Sequence, residues 1–327
     1  MSRVKMVIDT DGGVDDAVAI LWAATHKNID LLAITVVHGN VDSRIAAENV
    51  CRVLELAGRD DVPVYLGESN PLPGAPELRP ADFVHGVDGL GNTNRPRAKQ
   101  EPREGDGVQA LIDVVKVNAG EVSLVTIGPL TNVALAIQRD ASFAESVKEL
   151  VVMGGAVTVP GNALPAAEAN IAHDPEAARV VAAAPWSIPP LLVGLDITHR
   201  ATFTESMLRE IESATNEFAQ FLAAPLRFYQ FAGGTFCEVD GDFPCHDLLA
   251  TMAAVMPVVG SERLPLGVQT ADGPALGATV ADLRQPYFAR RGGGSIQGSD
   301  LPFYDWRIGL DVDVETFRSE IRRLFAI

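Results

Sequence analysis

"VIDTDGGVDDAVAI", residues 7–20, places Asp9, Asp11, Asp15 and Asp16 within eight positions of one another. The apolar run Val4–Ile8 leads in and reads as a buried strand. Asp15–Thr25 leads out and reads as a helix, with Ala17, Ile20, Leu21 and Ala24 on one face. Strand alternation puts Asp9 and Asp11 on the same side, and the Gly12-Gly13 turn aims Asp15 and Asp16 back at the strand end. Like charges this close repel, and burying them costs more still. One reading is a solvated turn, with Asp15 and Asp16 favoured by the helix N-terminus. The other is a site for a hard divalent cation, Ca²⁺ or Mg²⁺ rather than zinc, because the donors are oxygens with no His or Cys nearby. Four aspartates flanking two glycines directly after a buried strand favour the second.

Working outward, apolar runs at Leu31–Val37, Val62–Leu66, Val122–Ile127, Glu149–Met153 and Pro190–Leu195 read as further strands. Helical patterns separate them at Ser43–Ala57, after Gly128-Pro129, and at Pro175–Ala184. Continuous apolar strands alternating with helices imply an α/β protein whose mostly parallel central sheet is flanked by helices. Ligands of such sheets sit beyond the carboxyl ends of the strands. Those ends carry Asp9–Asp11, His38-Gly39-Asn40, Ile127-Gly128, Met153-Gly154-Gly155 and Asp196, so polar and glycine-rich residues gather along one edge. Towards the C-terminus, helices are expected at 204–231, 247–256 and 314–325, and strands at 264–270 and 305–312. The stretch "RRGGGSIQGSD" (290–300) reads as an excursion from the fold.

The 327 residues are read as a single large domain, 1–327, and 47% hydrophobic residues suffice for a sizeable core. A net charge of −17 argues against nucleic acid or an anionic membrane as a partner. No apolar run reaches membrane-spanning length, and "MSRVKMVIDT" has no signal-peptide h-region. Cys51, Cys237 and Cys245 form no CxxC pair. A soluble cytoplasmic protein with free thiols is expected. Two Pro/Gly-rich or broken segments, near 68–105 and 225–245, are expected to cover a substrate.

"DTDGGVDDAVAI" resembles the N-terminal signature of the calcium-dependent nucleoside hydrolases, DTDPGxDDAxAL. The likeness continues in order along the chain through "LLAITVVHGN", "VHGVDGLGN", "IGPLTN", "VVMGG", "AEANIAHDPEAA", "VGLDITH", "CHD" and "TVADLR". The resemblance implies a Rossmann-like nucleoside hydrolase fold and hydrolysis of the N-glycosidic bond of a ribonucleoside to ribose and free base. It implies one Ca²⁺ held by Asp11, Asp16, Asp247 and the main-chain carbonyl of Ile127, with Asp11 as general base towards a water. It implies Asp15 on the ribose 2′-hydroxyl, Asn170 on the 3′-hydroxyl, Asn162 and Glu168 at the 5′-hydroxyl, Asn40 orienting groups around Asp15, Met153 beneath the ribose, and Asp9 behind the cluster. A homo-oligomer, dimer or tetramer, is implied as well. The chemistry is coherent. An oxocarbenium-like state needs negative surroundings, and a substrate without phosphate needs no Lys/Arg clamp.

The leaving base must be activated. His246, next to Asp247, is the candidate general acid, as an imidazole titrating near neutrality, and His85 is a second candidate near the base. Tyr229 and Phe228 read as packing, His199 and His26 as structural, and His173-Asp174 as the start of a helix. Gly12 stands where the family pattern has Pro, and Ala169 where relatives often carry Phe. Two other functions compete. "DTDGG" superficially fits the DxD motif of haloacid-dehalogenase-like phosphatases, but the Gly-Gly and the adjacent Asp15-Asp16 argue against it. A non-catalytic ribose or nucleoside binder predicts loss of a metal ligand or of Asp11, and all are present.

Overall fold

The computed structural model describes residues 3–103, 105–233, 241–283 and 302–327. Cys237, residues 234–240 of the segment 225–245, and the stretch 290–300 lie outside them. The strands are β1 (Val4–Thr10), β2 (Ile29–Val36), β3 (Val64–Leu66), β4 (Val122–Thr126), β5 (Glu149–Met153), β6 (Leu191–Val193), β7 (Thr202–Phe203), β8 (Phe243–Pro244), β9 (Val259–Val268), β10 (Thr279–Ala281) and β11 (Tyr304–Val312). Nine form one sheet in the order β10-β9-β11-β6-β5-β4-β1-β2-β3. From β3 through β6 to β11 all pairs are parallel, and β9 and β10 extend the sheet antiparallel. Strands β7 and β8 form a separate antiparallel pair.

Alternation along the central strands divides the core into two layers. Met6 and Ile8 of β1 and Val125 of β4 join one apolar cluster, while Val7 of β1 and Leu124 of β4 join the other. The first lies under the helices Val14–Thr25, Ser43–Leu56 and His246–Ala253. The second lies under Gly107–Val117, Thr131–Arg139 and Pro175–Ala183. A strand buried on both faces has no polar side, which is why the sequence shows continuous apolar runs there. The run β3-β2-β1-β4-β5-β6 has the doubly wound order, which reverses direction between β1 and β4. At that switch point two neighbouring strand ends splay apart and leave a crevice.

Two differences from expectation concern where helices start. The helix expected over 204–231 is two helices, Glu205–Ser213 and Glu217–Gly233. Asn216 starts the second by accepting the amide N–H of Ala219 at 3.0 Å, a cap hidden inside an otherwise helical pattern. Gly107–Val117, which the apolar pattern alone did not single out, is capped by Asp106. No helix among the described residues is long and apolar enough to cross a membrane.

Candidate active site

The turn after β1 takes its shape from Gly12, whose φ is +69°. Proline is locked near φ −65° and cannot adopt that conformation, so glycine at this position is a requirement of the turn as it stands. A β-carbon on Gly12 would also press into the backbone of Ala46. The turn is stitched from within. Thr10 donates its hydroxyl to Asp16 at 2.5 Å, and the Gly13 amide donates to the other Asp16 oxygen at 2.7 Å. Asp16 thereby caps the helix that it belongs to, and the helix N-terminus supports its charge.

Asn40, at the end of β2, reaches across to hold Asp11. Its amide N–H and its side-chain nitrogen each donate to one Asp11 oxygen at 2.9 Å, and the side chain also reaches Asp16 at 3.2 Å. Asp9 lies deeper. One of its oxygens accepts from Thr35 and from Asn132 (2.8 Å), and the other is buried without a partner. Asp247 opens the helix His246–Ala253 and closes the group from above. Carboxylate oxygens of Asp15, Asp16 and Asp247 lie within 4.8 Å of one another. Asp11 stands beside this trio, and Asp16 is within hydrogen-bonding reach of both Asp11 and Asp247.

These aspartates are buried, and among the described residues no Lys or Arg pairs with them. Burial pushes Asp9 up to about 7. Burial and the charge of Asp16 push Asp15 up to about 7, and raise Asp11 well above the carboxylate range. Burial and the charges of Asp15, Asp16 and Asp11 do the same to Asp247. Such a group is stable only with protons or a cation among its oxygens. The donors are hard oxygens, and the residues present therefore fit a divalent metal.

Above this floor opens a cavity of about 370 Å³. Asp15, Asn40, Ile127, Met153 and Asp247 line its base, while Asp11 and Asp16 lie just beneath. On one side stand Asn162, Glu168 and Asn170. The Asn170 side chain donates to the carbonyls of Met153 (3.2 Å) and Ile127 (3.4 Å), tying the ends of β5 and β4 together. Glu168 caps the short helix Ala169–His173, accepting the amides of Asn170, Ile171 and Gly155, and burial raises it to about 7. Asn162 accepts the Ala169 amide at 2.9 Å.

The opposite wall holds His85, Tyr229, His199 and His246. The His85 Nδ1 accepts the Val14 amide N–H at 3.1 Å, and burial pushes this imidazole down to about 4. It therefore makes no ion pair with Asp15, 3.9 Å away. The Tyr229 hydroxyl donates to Asp15 at 3.1 Å. The His246 Nδ1 sits 2.7 Å from the Thr198 hydroxyl. Burial and the neighbouring His199 and His85 imidazoles push His246 down to about 3. Burial and the two neighbouring imidazoles thus work against the near-neutral acid expected of His246.

All the sequence-derived site residues converge on this place except that Asp9 stays behind the floor. Residues read as packing or structure also belong to it: Tyr229 bonds Asp15, and His173 and His199 line the cavity. Arg79 and Phe83 line its mouth, with the guanidinium 4.6 Å above the ring. Nothing in the sequence singled out Phe83, and Thr198 entered only as one letter of the stretch "VGLDITH", with no role assigned.

The inosine-uridine preferring nucleoside hydrolase family model matches residues 6–319. The chain belongs to this family. The Arabidopsis thaliana protein described as probable uridine nucleosidase 2 is 41% identical over 255 residues, 78% of each chain. The inosine-uridine preferring nucleoside hydrolase of Leishmania major is 35% identical over 285 residues, 86% of this chain and 88% of the relative. A solved plant nucleoside hydrolase superposes with a TM-score of 0.89 at 35% identity, covering 99% of both chains. Nucleoside hydrolase fold and family thus agree with the geometry: a carboxylate floor at the switch point beneath a cavity of nucleoside size.

Proposed function

We propose that the protein hydrolyses the N-glycosidic bond of ribonucleosides, with uridine and inosine as substrates, and that its metal is Ca²⁺. The buried aspartate group, with no Lys or Arg paired to it among the described residues, carries this reading. Asp11, Asp16, Asp247 and the Ile127 carbonyl would hold the ion. When bound it would grip the ribose cis-diol and acidify water. Asp15 binds the 2′-hydroxyl, its position set by Tyr229, and Asn40 orients the groups around it. Asn170 binds the 3′-hydroxyl, and Asn162 and Glu168 bind the 5′-hydroxyl. Met153 packs beneath the sugar. Asp11, made basic by burial and by Asp16, takes the proton of the attacking water. Asp9, held by Thr35 and Asn132, fixes the strand end from behind. The carboxylates stabilise the oxocarbenium-like charge on the sugar. His246 and His85 meet the departing base. The described parts of the segments 68–105 and 225–245 of the single domain 1–327, among them Phe83, His85 and Tyr229, cover the substrate.

A reducing-sugar assay over a nucleoside panel tests this. Ribose release from uridine and inosine, abolished by a chelator and restored by Ca²⁺, is expected. Phosphate release from p-nitrophenyl phosphate without ribose release would establish the phosphatase alternative. Calorimetric binding without turnover would establish the binder. Two buried free thiols, Cys51 and Cys245, support a reducing, cytoplasmic setting. A homo-oligomer is part of the same reading, checked by light scattering.

A further inference from the structure

Two imidazoles in the cavity wall are each hydrogen-bonded through Nδ1 to a group of the protein. The Val14 amide N–H can only donate, so the His85 Nδ1 that receives it at 3.1 Å carries no proton. The Thr198 hydroxyl is fully buried, and among the described residues its hydrogen-bond partner is the His246 Nδ1 at 2.7 Å. A buried hydroxyl proton left without an acceptor is costly, so this proton points at Nδ1. In both rings the proton then sits on Nε2, and both rings line the cavity.

We propose that Thr198 is a positioning residue that locks the tautomer of His246, as the Val14 amide locks that of His85, so that the leaving base meets two fixed Nε2–H donors. This rests on the ribonucleoside hydrolase reading given above. In the reaction the C1′–N bond breaks and its electron pair leaves with the base. The water oxygen bonds to C1′ and its proton goes to Asp11. The two Nε2–H groups hydrogen-bond the departing anion without giving up their protons, and the base takes a proton from solvent on release. The site therefore favours bases whose negative charge settles on a carbonyl oxygen or ring nitrogen within reach of a donor. It disfavours those that must be protonated before they leave.

Thr198→Val keeps the shape and removes the donor, and Thr198→Ser keeps the donor. Thr198→Val should lower kcat/KM on uridine about 10- to 100-fold, the scale of a lost hydrogen bond to a reacting group. On p-nitrophenyl riboside, whose leaving group needs no help, the fall should stay within about threefold, and Thr198→Ser should recover most of the loss on uridine. Equal losses on both substrates, or no recovery with Ser, would mean that Thr198 only supports the fold and would overturn the proposal. Nitrogen-15 spectra of histidine-labelled protein read the tautomers without activity. Signals of the Nε2–H form are expected for His85 and His246 in the unaltered protein, with that of His246 redistributing in Thr198→Val. An Nδ1–H form at either ring would overturn the proposal. If the unaltered protein cleaves neither substrate, the hydrolase reading fails, while the spectra still decide the tautomer lock.

Discussion

The floor and the wall of the cavity are built in opposite ways. Most of the floor's charge is contiguous in sequence: Asp9 to Asp16 span one strand end, one turn and the first turn of one helix, and Asp247 joins them from afar. Its groups are anionic, buried and mutually repelling, and they are fixed by a dense set of short hydrogen bonds from Thr10, Gly13, Asn40 and Asn132. The wall is assembled from residues scattered between 79 and 246, and its side facing Asn162 and Glu168 carries imidazoles and a phenol instead of carboxylates. A floor under electrostatic stress needs a rigid local motif to hold it. A wall that meets many bases is free to be gathered from distant loops. The floor should therefore be sensitive to single substitutions and to pH, and the wall should tune rather than abolish.

The largest effect belongs to Asp11. Asp11→Ala should lower kcat/KM on uridine by about a thousandfold or more, the upper range for a lost general base, with circular dichroism unchanged. A variant with near-normal turnover would break the assignment. Next is the sugar. Ribonucleosides should exceed their 2′-deoxy counterparts in kcat/KM by about a hundredfold or more if the cis-diol is gripped, the cost of leaving site groups built for that hydroxyl unpaired. Comparable rates would remove Asp15 from its role.

Stability against pH separates the two regions further. Asp9, Asp11, Asp15 and Asp247 have folded-state values raised above their unfolded ones, Asp9 and Asp15 to about 7. Between the unfolded value near 4 and the folded value near 7 the folded state binds more protons than the unfolded state, so stability falls as pH rises through this window. The chelated protein should melt at a lower temperature at pH 8 than at pH 5.5, and added Ca²⁺ should raise the melting temperature more at pH 8. A chelated protein that gains stability with rising pH would contradict the floor as described. The turn comes next. Gly12→Ala should cost about 1–3 kcal/mol, for a left-handed conformation combined with a close approach to Ala46, read from denaturant unfolding. The smallest effect is on the wall. Tyr229→Phe removes one hydrogen bond to Asp15 and should raise KM for uridine several-fold, about 1 kcal/mol, with kcat nearly unchanged.

The same contrast decides what could be read in advance. The parallel sheet and the floor were legible because hydrophobic runs and aspartate spacing are local, and a strand followed by a helix converts spacing directly into position. Asp247, Glu168 and Asn170 entered only through the likeness of the whole motif series, since no local pattern links residue 247 to residue 11. Tyr229 was read as packing because an aromatic in a helix looks alike whether its hydroxyl meets water or Asp15. Thr198 lies inside the stretch "VGLDITH", yet its role gave no signal: one hydroxyl after a strand acquires meaning only when the fold brings residue 246 to it. Gly12 was visible as a departure from the family's Pro, and its positive φ shows why the turn as it stands admits no proline.

The doubly wound sheet has a further consequence. In many sheets of this order the helix N-terminus after β1 receives the phosphate of a nucleotide. Here Asp15 and Asp16 already fill that first turn with negative charge of their own. The crevice is charge-inverted, and a molecule that arrives phosphorylated meets repulsion where a related architecture would offer a cradle. A phosphate group is therefore the wrong chemistry for this end of the crevice, and a sugar hydroxyl the right one.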